Sequence, residues 1–140
     1  LSLMENQKLV AEGAGAVPVA AALFHKLPIE GKKVVCLVSG GNIDVNILNR
    51  VITRGLVMSG RKANLTIALE DKPGQLQRVA EIVSRCGSNV VSVQHDGSDP
   101  NMPISSCFLK LTLETRDAEQ IEQIRAELAK EGFQLVSERV

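Results

Sequence analysis

Three short stretches hold the residue types and spacings that could do chemistry. Ser39-Gly40-Gly41-Asn42 sets a hydroxyl, two glycines and a carboxamide between an apolar run and a helical pattern. Glycines at such a turn let backbone N–H groups close on an anion, and the following helix start adds a positive partial charge. A plain tight turn uses the same residues. Glu12-Gly13-Ala14-Gly15 opens a helix, where a carboxylate either complements the helix dipole or borders a pocket. Asp71-Lys72-Pro73-Gly74-Gln75-Leu76 joins a rigid Pro–Gly turn to an amphipathic helix. Its free N–H groups suit the carboxylate of a small ligand, and the turn alone is the other reading.

The remaining reactive side chains form no set. His25 and His95 lie far apart with no second ligand at metal spacing, so no metal site is expected, and His95-Asp96 reads as an exposed polar pair at a strand end. Ser39 lacks a neighbouring base or a nucleophile-elbow pattern, and no paired carboxylates suggest hydrolysis. The three cysteines, Cys36, Cys86 and Cys107, are odd in number and widely spaced. They read as small buried hydrophobes in a reducing, cytoplasmic compartment.

Composition narrows the classes. Lys plus Arg equals Asp plus Glu at 16 each, so no net field favours nucleic acid or an anionic membrane. Aromatics are 2% with no Trp or Tyr, which removes the stacking platforms of single-strand binders. No apolar run reaches the roughly 20 residues of a membrane span, and no secretory signal opens the chain. The chain begins at Leu1 in mid-pattern, as expected of a piece of a longer protein.

Two blocks must position these residues, with a boundary at 60/61. In residues 1–60, Gly13 to Leu27 is apolar nearly all round, as in a helix buried on more than one side. Pro18 is expected in its first turns, and Pro28 and Gly31 end it. Lys33 to Val38 predicts a central parallel strand, and Ile43 to Met58 a second helix.

Residues 61–140 read as a complete small domain. Leu65, Ile67 and Leu69 alternate as a strand; Leu76, Val79, Ala80 and Val83 follow helical spacing, and Gly87 ends that helix. Asn89 to Gln94 is a strand and residues 97–101 a loop. Cys107, Leu109, Leu111 and Leu113 alternate in a third strand. Asp117 starts a helix carrying Ile121, Ile124 and Leu128, Gly132 closes it, and Phe133 with Leu135 marks a last strand. The order is βαββαβ, a ferredoxin-like α+β sheet with both helices on one face. The other face, with Val90 and Phe108, is expected to pack or dimerise.

The stretch Glu5 to Ala16, followed by Val34 to Asp44, closely resembles the end of the catalytic domain of threonine dehydratases, pyridoxal-phosphate enzymes of the tryptophan-synthase-β fold type. Residues 64–140, with Asp71-Lys72-Pro73-Gly74 and Asn89-Val90-Val91-Ser92-Val93, resemble an ACT domain, an amino-acid-sensing module. The resemblance implies a parent enzyme that deaminates L-threonine to 2-oxobutyrate and ammonia. It gives Ser39 a hydrogen bond to the cofactor's pyridine nitrogen, makes Gly40, Gly41 and Asn42 pocket wall, and puts Glu12 nearby. A hydroxyl cannot hold that nitrogen protonated as an Asp would, which makes the cofactor a milder electron sink.

The resemblance also implies an effector, isoleucine or valine, at Asp71, Pro73, Gly74, Gln75 and Leu76, completed by Asn89, Val90, Val91 and Ser92 of a neighbouring strand or another subunit. The family's Schiff-base lysine and phosphate loop have no counterpart here, because Lys32 and Lys33 sit at the wrong end of their strand. The chain alone is therefore expected to be inactive, with an upstream catalytic domain as its partner. The rival expectation is a stand-alone ACT-type sensing or dimerisation module without catalysis.

Overall fold

The computed structural model describes residues 1–136. The chain divides into two compact units, Leu1–Arg54 and Gly55–Val140. The division falls inside a helix, six residues before the expected change of composition.

The first unit holds a π-helical turn, Leu3–Gln7, then helix α1 (Gly13–Leu23) and most of helix α2 (Val45–Met58). Glu12 caps α1 in an extended conformation, its carbonyl accepting from Ala16 N–H at 3.1 Å. Asp44 starts α2, its Oδ1 accepting from the Asn46 and Ile47 N–H groups at 2.8 and 3.3 Å.

Two expectations fail in this unit. Residues 33–42 form no strand. A parallel strand needs lateral partners for its N–H and C=O groups, and residues 1–54 supply none. Helix α1 stops at Leu23, not Leu27, and only Gly15 within it is buried; Val17 and Leu23 are more than half exposed. An all-apolar surface is buried only when other elements cover it. Pro18 sits sixth in α1, in its second turn and so within the first turns expected, and leaves the Ala14 carbonyl without its usual amide donor.

The second unit is built from β1 (Lys62–Glu70), α3 (Gln75–Arg85), β2 (Asn89–Asp96), β3 (Ser106–Glu114), α4 (Ala118–Lys130) and β4 (Gln134–Val136). Its sheet runs β2-β3-β1-β4, with every neighbour antiparallel. This is the ferredoxin-like α+β topology expected from the pattern. Alternation assigns the faces: Ala63, Leu65, Ile67 and Leu69 of β1 stand opposite Leu113, Leu111, Leu109 and Cys107 of β3. These side chains meet Val79, Ile82 and Val83 of α3 and Ile124 and Leu128 of α4 in one core.

Polar contacts fix the ends of that core. Gln120 is 2% exposed. Its Nε2 donates to the Cys86 carbonyl, its Oε1 accepts from Arg116 N–H, both at 2.7 Å, and Asp117 Oδ1 caps its backbone N–H at 2.8 Å. Gly60, at φ +70°, brings the end of α2 so close to α4 that a Cβ would fall 2.4 Å from Ala118 N. Its carbonyl accepts from Thr115 Oγ1 at 2.6 Å.

Strand β2 carries a bulge. Val90 pairs with Leu113 and Ser92 with Thr112, leaving Val91 without an opposite residue. Val90 therefore faces the helices and packs on the core. This corrects its placement on the open face beside Phe108. Phe108, half-buried, does lie on the open face, with Lys110 and Thr112 on its strand and Asn64 across from Thr112.

Candidate functional site

In the first unit the two predicted groups form one packed turn. Glu12 N–H donates to the Gly40 carbonyl at 3.0 Å. A Cβ on Gly15 would fall 1.7 Å from the Ser39 carbonyl oxygen, so the first turn of α1 lies directly against Ser39. Gly40 adopts φ +74°, and a Cβ there would meet the Glu12 carboxyl at 2.5 Å. Glu12, Ser39 and Gly40 are thus neighbours. Ser39, Gly41 and Asn42 are exposed, whereas Ser39 was expected at the end of a buried strand. Gly15 takes part by close packing; its signal was a second glycine one position beyond Gly13-Ala14.

In the second unit, Asp71 leaves β1 with its N–H donating to the Ser105 carbonyl at 2.8 Å. Lys72 pairs with Glu70 at 2.6 Å and holds that exposed carboxyl below its usual range. Gly74 reaches φ +89° as α3 begins, a conformation that favours glycine. Pro73, Gly74 and Gln75 line a groove of about 340 Å³. A larger cavity of about 530 Å³ opens alongside, lined by Glu70, Gln75, Arg78, Ser106, Glu131 and Phe133 among others.

Gln75 and Arg78 line both spaces. Among the described residues, the Gln75 amide oxygen is buried without a hydrogen-bond partner. The Arg78 guanidinium lies 5.1 Å from the Phe133 ring centroid and 3.5 Å from Glu131. Leu76 is half-exposed at the same helix end. Arg78 was missed in the sequence; a cation one turn after the Pro–Gly corner was the available signal.

Asn89 to Ser92 lie elsewhere in the same chain. Asn89 stands opposite Glu114, with its Nδ2 donating to Glu114 Oε2 at 3.1 Å, whereas Glu70 stands opposite Ser106. Eight residues of β3 separate these points, roughly 26 Å at strand spacing. The strand residue that does reach the Asp71 turn is His95, whose Nε2 lies 3.4 Å from Asp71 Oδ1 and 3.0 Å from Cys107 Sγ. This corrects the reading of His95-Asp96 as a pair. Asp96 instead accepts from Lys110 Nζ at 2.9 Å and Ser98 Oγ at 2.6 Å, which hold its carboxyl well below the usual carboxylate range. Burial pushes the Cys86 and Cys107 thiols up, the nearby Asp71 carboxylate adding to the effect at Cys107.

No family model matches the chain. It is 47% identical over 135 residues to the L-threonine ammonia-lyase of Thermotoga maritima, covering 96% of this chain and 33% of that protein. It is 39% identical over 133 residues to the L-threonine ammonia-lyase of Geobacter sulfurreducens, covering 95% of this chain and 33% of that protein. The similarity to these two L-threonine ammonia-lyases runs along nearly all of this chain. The chain spans about a third of the length of these relatives. Among solved structures, the ACT domain of the GTP pyrophosphokinase of Chlorobium tepidum is similar over 54% of this chain and 96% of that domain, at 15% identity and a TM-score of 0.42. Among the described residues, no helix is long and apolar enough to cross a membrane.

Proposed function

We propose that this chain is the regulatory portion of a threonine ammonia-lyase, with an amino-acid effector site in its second unit and one wall of the cofactor pocket in its first. The observation that carries the reading is a single alignment of 135 residues at 47% identity running through both units. The full enzyme would deaminate L-threonine to 2-oxobutyrate and ammonia in the cytoplasm, where Cys36, Cys86 and Cys107 stay free thiols.

The first unit fits a pyridoxal-phosphate wall. Close contacts at Gly15 and Gly40 leave no room for a Cβ and fix the backbone that presents Ser39. Ser39 and Asn42 would hold the cofactor's ring edge, Gly40 and Gly41 would let the backbone approach it, and Glu12 would keep the turn in place. When bound, pyridoxal phosphate supplies the electron sink for removing an α-proton from an amino acid. Ser39 offers a neutral hydroxyl and places no negative charge beside that ring. Lys8, Lys26, Lys32 and Lys33 are all exposed, and we expect no turnover from this chain without its catalytic domain.

The second unit would take an amino acid at the Asp71–Leu76 corner, its carboxylate facing the α3 N-terminus and Arg78, and its side chain beside Leu76. Asn89, Val90, Val91 and Ser92 are too far along the sheet to join that corner within one chain. They complete the site when a second subunit brings its β2 edge alongside, and Val91 and Val93 are half-exposed on that edge. Coupling to catalysis requires the effector to favour one arrangement of the enzyme's domains.

Calorimetric titration of the chain against the twenty amino acids, with its oligomeric state measured in parallel, tests the reading. Isoleucine or valine is expected to bind a dimer and raise its melting temperature. A dimer that none of the twenty stabilises overturns the sensor assignment.

A further inference from the structure

At the end of the sheet where β1 finishes, three side chains from three elements converge. Asp71 comes from the β1–α3 turn, His95 from β2 and Cys107 from β3, and their ligand-type atoms all lie within 4.8 Å of one another. Cys107 is fully buried, while the Asp71 and His95 side chains are 55% and 52% exposed. One side of the cluster is thus closed by the core and the other is open to solvent.

Both short contacts fall on the same atom, His95 Nε2. That nitrogen carries at most one proton, so it serves Asp71 and Cys107 together only by sharing one N–H between the carboxylate and a weakly accepting sulfur. A cation at the centre would accept a lone pair from each of the three atoms at once.

We propose that Asp71 Oδ1, His95 Nε2 and Cys107 Sγ form a binding site for a borderline-soft divalent cation of the zinc class, with a fourth position open to water. Two of the three separations lie near those of tetrahedral coordination. Metal–ligand distances of that class imply N-to-O and N-to-S edges of about 3.3 and 3.5 Å. The observed edges are 3.4 and 3.0 Å, so the thiol need retreat only slightly. Mixed sulfur, nitrogen and oxygen donors favour zinc or cobalt over magnesium or calcium, which take oxygen ligands. Such an ion would pin the β1–α3 turn to the edge strand β2. The proposal does not depend on effector binding.

Cobalt(II) titration of the metal-free chain in the absence of amino acids tests it, reading the thiolate-to-cobalt charge-transfer band in the near ultraviolet. One equivalent is expected to produce the band, and zinc to displace it. Cys36→Ser and Cys86→Ser should leave it unchanged. His95→Ala, at an exposed position that need not disturb folding, should abolish it, and Asp71→Asn should weaken cobalt binding at least about tenfold, the scale of losing even an outer-shell partner. A folded wild-type chain with no band, or a band that survives His95→Ala, overturns the site. Either result leaves the amino-acid titration above to be judged on its own.

Discussion

Gln120 shows how much one polar side chain can carry. It is buried between the two helices of the second unit and joins the Cys86 carbonyl to the Arg116 amide. Gln120→Ala strands the buried Cys86 carbonyl at about 1–3 kcal/mol and leaves a cavity where the side chain packed. We expect a loss of about 2–4 kcal/mol, read as a lower midpoint in urea unfolding with unchanged slope. Asp96 acts through pH. Ser98 and Lys110 depress its folded-state pKa, so the unfolded chain binds the extra proton as pH falls. Its stabilisation is therefore complete above the ordinary carboxylate value and disappears below about pH 4. In Asp96→Asn the stability gap to wild type should be constant from neutrality to about pH 5 and close progressively below pH 4, measured by denaturant midpoints across that range.

At the scale of elements, sequence periodicity was enough wherever an element's burial is decided by its own unit. Leu65, Ile67 and Leu69, then Cys107 to Leu113, alternate in the sequence as they do in the sheet, and Asp117 and Gly132 bound α4 where chemistry says they should. Ile82 was missed in α3, where Ala80 was expected inside and is exposed, because an Ala fits either face of a helix. The strand expected at Lys33 to Val38 was a fair reading of composition, but a strand is a property of its neighbours as much as of itself. Val90 was set on the wrong face because strict alternation has no way to register an extra residue. The convergence of His95 on Asp71 and Cys107 was illegible for a related reason: it depends on strand order, which brings β2 beside β3 and not beside β1.

For the whole molecule, burial is distributed unevenly. Every fully buried large side chain lies in the second unit, and Gly15 is the one buried residue among positions 1–54. Amides that open only with global unfolding should therefore map to β1, β3, α3 and α4, and those of residues 24–42 should exchange within the dead time of a hydrogen-exchange experiment read by mass spectrometry. Slow exchange across residues 33–38 would instead show a strand formed in solution, with a partner supplied by another copy. The bulge at Val91 has a further consequence for how β2 is used. A strand's side chains follow a code of period two, and one unpaired residue shifts its reading frame. Before the shift, Asn89 and Val90 answer to Glu114 and Leu113; after it, Val93 and His95 face the side that Ser92 and Gln94 would otherwise occupy. The two ends of an eight-residue strand thereby become separate sentences, so substitutions at one end need not alter what the other end presents.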